Sequence, residues 1–243
     1  MQPPILDLKM AQEEVPKHVG FIMDGNRRFS KKLMLKPWKG HEWGAKKLSD
    51  VLEWAKEYDV KELTLYTFSI QNFDRPKQEF DYLMKIFIDN FEKLKNDKRL
   101  FENKIRINAI GRLWMFPKEL QERLNDIMEK TKSHDNYVIN FAMGYGGREE
   151  VIDATKKIAK LVKEGKMNIE DINEDVFKNN LYMKDEPDLI IRTGGEKRTS
   201  NFLAYQGAYS EYVFLEKMWP ELEKEDFIAC INEYSNRKRR FGK

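Results

Sequence analysis

The stretch His18-Val19-Gly20-Phe21-Ile22-Met23-Asp24-Gly25-Asn26-Arg27-Arg28 decides the fold. From Val19 to Met23 an extended chain is apolar on both faces, as in a strand covered from both sides. Asp24-Gly25-Asn26 then ends the run in a sharp turn. Working outward, five more short runs rich in Ile, Val, Phe, Tyr or Leu follow, some of them apolar on both faces, at 63–68, 105–110, 137–143, 188–192 and 211–215. Between them apolar residues recur at helical spacing: Ala45, Leu48, Val51, Leu52, Ala55 and Tyr58; then Phe80 through Leu94; then Leu120, Leu124 and Met128. Ile152, Ile158 and Leu161 mark a weaker fourth helix, and Phe227, Ile231 and Tyr234 a last one. This alternation predicts one α/β domain with a central, mostly parallel sheet of about six strands flanked by helices. Residues 1–17 read as an N-terminal extension and 18–243 as the domain. Open parallel sheets bind ligands beyond the carboxyl ends of their strands, so function is to be sought after each run.

Composition narrows the classes. Of 243 residues, 41 % are hydrophobic and 12 % aromatic, which excludes a mostly disordered chain. Lys and Arg number 44 against 41 Asp and Glu, a net +3 that points to no nucleic-acid partner. The single cysteine, Cys230, excludes an intrachain disulfide and a multi-cysteine metal site, and a reducing, cytoplasmic setting is expected. Charge-free stretches such as 63–73 fall well short of the roughly 20 apolar residues of a spanning helix. The first 16 residues lack the apolar run of a signal peptide.

Three strand ends carry chemistry. After the first run, Asp24 could hold a magnesium ion through one carboxylate oxygen, and Arg27 and Arg28 could fork onto phosphate oxygens. The same residues also make an ordinary surface turn. Gly40-His41-Glu42-Trp43-Gly44 opens a helix, whose first N–H groups favour anions. After the second run, Ser69 and Asn72 are neutral hydrogen bonders and Arg75 is a further fork; helix capping would explain them equally well. After the fifth run come Arg192-Thr193-Gly194-Gly195-Glu196-Lys197-Arg198-Thr199-Ser200-Asn201. Guanidinium groups with N–H groups freed by Gly-Gly would cradle an anion, although a solvated hinge has the same composition. The stretch is neither a P-loop nor a dinucleotide loop. Glu211 would be a second carboxylate for the metal if its strand lies beside the first. Arg27, Arg28, Arg75, Arg192 and Arg198 with one aspartate suit two polyphosphates and a magnesium ion better than one small neutral substrate. The sequence offers no Ser-His-Asp arrangement, no zinc-ligand spacing and no Asp-Asp-x-x-Asp motif.

Taken in order, the motifs are 18–28, Gly-His-x-x-Gly at 40–44, Tyr-Thr-Phe-Ser-Ile-Gln-Asn-Phe at 66–73 and Asn-Phe-Ala-Met-Gly-Tyr-Gly-Gly-Arg at 140–148. Asp-Leu-Ile-Ile-Arg-Thr-Gly-Gly-Glu at 188–196 and Arg-Thr-Ser-Asn-Phe at 198–202 follow. From His18 to Gly242 this series resembles the cis-prenyltransferases, the family of undecaprenyl and dehydrodolichyl diphosphate synthases. Arg27, Phe29 and Phe73 look more like its archaeal and eukaryotic branch than its bacterial one.

The resemblance implies a fold with an apolar channel and a sequential condensation. An allylic prenyl diphosphate of farnesyl or geranylgeranyl type loses diphosphate, isopentenyl diphosphate attacks, and proton loss leaves a Z double bond. The product would be precursor to a glycosyl carrier lipid. By position, Asp24 would hold Mg2+, with Glu211 also on the metal. Gly25, Asn26, Arg27, Arg28, Phe29 and His41 would surround the allylic diphosphate. Ser69, Ile70, Gln71, Phe73 and Arg75 would complete the substrate site, with Gln71 standing where a glutamate is frequent. Arg192, Arg198, Thr199 and Ser200 would hold isopentenyl diphosphate. Asn72 matches the residue often assigned to proton removal; a neutral amide is a poor base and would instead orient the substrate. Arg240 and Gly242 fit an Arg-x-Gly end that reaches the partner's site in a homodimer. Transient contact with a membrane surface is also implied by a lipid product. Two other readings stay open: a non-catalytic partner subunit of the same fold, and an α/β enzyme binding phosphate or a sugar nucleotide.

Overall fold

The computed structural model describes residues 15–237. Six strands, β1 (His18–Ile22), β2 (Glu62–Ser69), β3 (Ile105–Ile110), β4 (Tyr137–Tyr145), β5 (Leu189–Arg192) and β6 (Glu211–Phe214), form one sheet. Their order is β3-β4-β2-β1-β5-β6, and every neighbouring pair is parallel. The six runs of the sequence are these six strands; β1 and β5, covered on both faces, are apolar nearly throughout, whereas the edge strand β3 carries Arg106 and Asn108. All five residues of β1 are buried.

Among the described residues seven helices connect the strands and an eighth follows the last: α1 (Asn26–Lys32), α2 (Gly40–Glu57), α3 (Lys77–Lys95), α4 (Lys98–Glu102), α5 (Lys118–Thr131), α6 (Gly147–Lys163), α7 (Glu174–Asn180) and α8 (Lys224–Asn236). The main core lies between one sheet face and α2, α3, α5 and α8, through residues such as Val51, Leu83, Leu124 and Phe227. A smaller core beneath the other face gathers Ile22, Tyr145, Ile190, Phe202 and Leu203. Five of the helices match the predicted periodicities. Three do not: α1, α4 and α7 bury one residue, one residue and none, so they leave no apolar stripe to read. No helix of the described residues is long and apolar enough to cross a membrane.

The topology positions the site. The chain leaves β1 towards β2 on one side, and β5 towards β6 on the other, while β1 and β5 are themselves paired from Val19↔Leu189 to Ile22↔Arg192. Loops that part in this way open a crevice above the two strand ends. Glu211 lies elsewhere. β5 stands between β6 and β1, and Glu211 is in register with Leu189, at the amino end of the sheet. Asp24 follows the carboxyl end of β1, about five residues and so roughly 16 Å of strand rise away. Its own partner is Arg237, whose Nη1 donates to it at 2.6 Å. The neighbour condition on Glu211 therefore fails within one chain.

Candidate active site

Asp24 and Arg192 face each other across the crevice. Arg192 Nη2 donates to Asp24 Oδ2 at 2.8 Å, and Arg28 Nη2 stands 3.6 Å from the same oxygen. Asp24 Oδ1 accepts the Gly25 N–H at 2.6 Å. The Asp24 carbonyl takes Thr193 Oγ1 and the Trp219 N–H, each at 2.9 Å, so the turn is tied to both neighbouring segments. Arg192 is 3 % exposed. Its Nη1 donates to Ser200 Oγ at 2.8 Å and to the Arg198 carbonyl, which fixes the loop 193–201 over the crevice. Its Nε is buried and has no partner among the described residues, a donor ready for an oxyanion. Arg198 is held by Glu196 at 2.5 Å, and Arg28 lies 3.8 Å from Glu196.

Gly194 and Gly195 do not form the expected anion cradle. The N–H groups of Gly194 and Gly195 donate to the carbonyls of Lys217 and Leu215, at 2.7 and 2.8 Å. They pair the loop to the segment after β6 and offer nothing to an anion. The cradle consists of side chains: Arg28, Arg192, Arg198 and Ser200.

A second polar group lies on the α2–α3 side. His41 sits in the first turn of α2, and Arg75 Nη1 is 3.4 Å from its Nε2. Burial first, then the Arg75 and Arg27 charges, lower the His41 pKa to about 3, so the imidazole is neutral at pH 7. Glu79, 2 % exposed, binds Arg75 and stands 3.7 Å from Arg27, holding both guanidinium groups in place. Glu79 is not among the site residues that the sequence motifs mark; the signal for it is its i,i+4 spacing from Arg75. Gly40 and Gly44 let α2 press on the start of α1: a Cβ at either would fall 1.9 Å from the Asn26 carbonyl or 2.3 Å from its Oδ1.

Ile70, Gln71, Asn72 and Phe73 form a single helical turn capped by Ser69. Asn72 Oδ1 accepts the Ser69 N–H at 3.0 Å, so the atom that a base would need is engaged and the amide nitrogen remains as a donor. Phe73 packs on Phe68 and Phe116, both with ring centroids 5.0 Å away, and Phe29 packs on Trp43. Neither aromatic is among the residues that line the cleft between α2 and α3; both pack against other rings. Thr199 lies in the 193–201 loop, its carbonyl accepting the Phe202 N–H at 3.0 Å. Arg240 and Gly242 lie outside the described residues.

Between α2 and α3 runs a cleft of about 380 Å³. Met23, Asn26, His41, Asn72 and Arg75 line it near the strand ends, and Leu48, Leu52, Leu83, Phe87 and Leu94 line its depth. Part of the predicted stripe is thus a channel wall, while Phe80 and Met84 pack with the core. Asp97 and Arg99, beyond the end of α3, also line it, and Arg99 bonds Glu53 at 2.6 Å.

Among the described residues no group of three or more His, Cys, Asp or Glu could hold a metal ion. Magnesium does not require one, since it is commonly bound by one or two carboxylates together with substrate phosphates. Asp24, at the edge of the anion cradle, fits that pattern.

An all-parallel α/β fold with a guanidinium-lined anion site at its switch point and an adjoining apolar cleft defines an enzyme class acting on apolar diphosphates. The chain matches the family model described as "Putative undecaprenyl diphosphate synthase" over residues 22–242, and it belongs to that family, the cis-prenyltransferases. The tritrans,polycis-undecaprenyl-diphosphate synthase (geranylgeranyl-diphosphate specific) of Pyrococcus horikoshii is 46 % identical over 237 residues, 97 % of this chain and 90 % of that protein. Its namesake from Methanopyrus kandleri is 43 % identical, with 98 % and 89 % covered. The crystal structure of lavandulyl diphosphate synthase from Lavandula x intermedia with dimethylallyl diphosphate superposes with a TM-score of 0.90 at 32 % identity, covering 95 % of this chain and all of that one. The fold class and the enzymatic, prenyl-transferring activity read from the sequence hold.

Proposed function

We propose that the protein condenses isopentenyl diphosphate repeatedly onto an allylic prenyl diphosphate and releases a Z-polyprenyl diphosphate. One observation carries this: the Asp24–Arg192 pair and the apolar cleft share one set of strand ends, so a diphosphate head and a hydrocarbon tail are served together. Geranylgeranyl diphosphate is the favoured primer, since the archaeal relatives are named for it.

In this reading Asn26, Arg27 and Arg75 hold the allylic diphosphate at the mouth of the cleft, and neutral His41 adds a hydrogen bond. Arg192, Arg198 and Ser200 hold isopentenyl diphosphate across the crevice. Ionisation of the allylic C–O bond puts negative charge on the departing diphosphate, and fixed cations already aimed there stabilise it without rearranging. Mg2+ bound through Asp24 would add electrophilic stabilisation of the same leaving group. The apolar cleft keeps water from the allylic cation. Asn72 orients the attacking substrate through its amide nitrogen, and the proton leaves to the departing diphosphate. The protein works as a homodimer in which Arg240 and Gly242 complete the partner's isopentenyl diphosphate site.

The test supplies labelled isopentenyl diphosphate, several allylic primers and Mg2+, without nucleotide. Butanol-extractable polyprenyl product and released diphosphate are expected. Asp24→Ala should lower turnover by about 10²–10³-fold, as for the loss of one preorganised transition-state contact. Near-normal turnover by a folded Asp24→Ala protein overturns the role of Asp24, and absence of polyprenyl product with every primer overturns the reaction.

A further inference from the structure

The end of α1 carries a conflict between backbone and side chain. It closes in a Schellman turn, with the Leu35 N–H donating to the Ser30 carbonyl at 2.9 Å and the Met34 N–H to the Lys31 carbonyl at 3.1 Å. The left-handed position of such a turn favours glycine or asparagine. Here it is Met34, at φ +55°. Burial does not offset that strain, because Met34 is 96 % exposed, between Leu33 at 43 % and Leu35 at 44 %. Three consecutive apolar side chains thus stand in water on a fixed turn, the middle one against its backbone preference. An outlier of this kind that nothing among the described residues repays points to a use outside them.

The surroundings say what would meet it. From Gly25 to His41 the chain holds Arg27, Arg28, Lys31, Lys32, Lys36 and Lys39 and no acidic residue. Lys32 is paired with Glu221 at 2.6 Å and Lys39 with Glu42 at 3.0 Å. Lys31 and Lys36, both exposed, leave the tip positively charged. Trp43, 47 % exposed, packs edge-on against Phe29 of α1 with centroids 5.8 Å apart. Tryptophan with an apolar body and a donor N–H is characteristic of the headgroup level of a bilayer.

We propose that this tip docks the protein on an anionic lipid surface: Leu33, Met34 and Leu35 enter the acyl boundary, and Lys31 and Lys36 meet headgroup phosphates. The purpose of docking rests on the prenyl-transfer reading. α1 has seven residues and begins at Asn26 in the cleft lining, so about 10 Å separates the anchor from the mouth through which a polyprenyl chain passes.

The test uses the full chain with vesicles of phosphatidylcholine alone or mixed with an equal part of phosphatidylglycerol. Co-sedimentation with the mixed vesicles, weakened by salt, is expected, with little on phosphatidylcholine alone. Met34→Gly removes the side chain and relaxes the turn; it should raise the melting temperature while weakening vesicle binding about tenfold or more. Met34→Asp, and Lys31→Glu with Lys36→Glu, should abolish binding. Turnover of detergent-dispersed substrates without vesicles is followed in parallel and should be unchanged in Met34→Gly, which separates failure of docking from failure of the reaction. Docking is overturned if the wild type stays in the supernatant, or if both Met34 variants bind as it does. Self-association abolished by Met34→Asp, with no vesicle binding, also overturns it and assigns the tip to a second copy of the chain.

Discussion

Gly194 stands where the turn after β5 presses on the turn after β1. It has φ +88°, and a Cβ there would lie 2.7 Å from Arg28 Nη2, 3.1 Å from the Asp24 carbonyl carbon and 3.2 Å from the Gly25 nitrogen. Arg28 can swing aside, but the backbone of the first turn moves only by carrying Asp24 with it. Gly194→Ala should therefore cost roughly 1–2 kcal/mol of stability, the price of the left-handed region for a side chain, and lower turnover about tenfold or more. Denaturant unfolding and steady-state rates check the two effects. A variant as stable and as active as the wild type would show that the β1 and β5 turns are not coupled. Residues of this scale were legible where chemistry sits at the end of a buried strand, as Asp24 and Arg192 do. They were not legible where a partner comes from far along the chain: the Gly194 and Gly195 N–H groups looked available because the Lys217 and Leu215 carbonyls that take them lie beyond another strand. Glu79 was hidden for a related reason, as one acid within an amphipathic helix, and only folding shows that it is buried between two arginines.

At the scale of elements, strands were easier to read than helices. The interior of a parallel sheet is apolar, so each run in the sequence coincides with a strand to within one or two residues, although the edge strand β3 carries Arg106 and Asn108. Helical periodicity reports only the buried face, which long α3 has and short α7 lacks. The same periodicity could not separate channel wall from core: Leu83 and Phe87 line the cleft while Met84, on the same helix, packs with the core. Because α2 and α3 define the cleft, filling it from α2 should act on product length. Leu52→Trp is expected to shorten the polyprenyl chain by one to a few isoprene units, with the first condensation nearly unaffected, because the head groups bind at the other end. Arg99→Ala, which removes a lining side chain and its ion pair with Glu53, should act in the opposite direction. Chromatography of the dephosphorylated products measures both, and an unchanged length distribution in Leu52→Trp would mean that the chain grows elsewhere.

At the scale of the whole molecule, the tail and the edge of the sheet matter together. Arg237 ends α8 and is bound to Glu211 at 2.6 Å and to the Tyr212 carbonyl at 3.1 Å. This ties the chain to the amino end of β6, whereas the anion groups lie beyond the carboxyl ends of the strands. β6 is an edge strand, beside which a second copy can lie. Deleting residues 240–243 should therefore raise KM for isopentenyl diphosphate and leave dimerisation intact, since a forked cation suits diphosphate and two-fold symmetry supplies the contact to both sites. A mixed dimer distinguishes action across the interface from action within a subunit. One subunit carries Asp24→Ala with its tail intact; the other keeps Asp24 and lacks the tail. If the tail serves the partner, the first subunit donates it to the intact Asp24 site of the second, and one site of the pair works. If the tail serves its own subunit, neither site has both parts, and at isopentenyl diphosphate concentrations well below the raised KM activity stays at the low level of the two parent homodimers. Recovery towards half of wild-type turnover on mixing is the expected result, and background turnover in a verified mixed dimer would place the tail's action within its own chain.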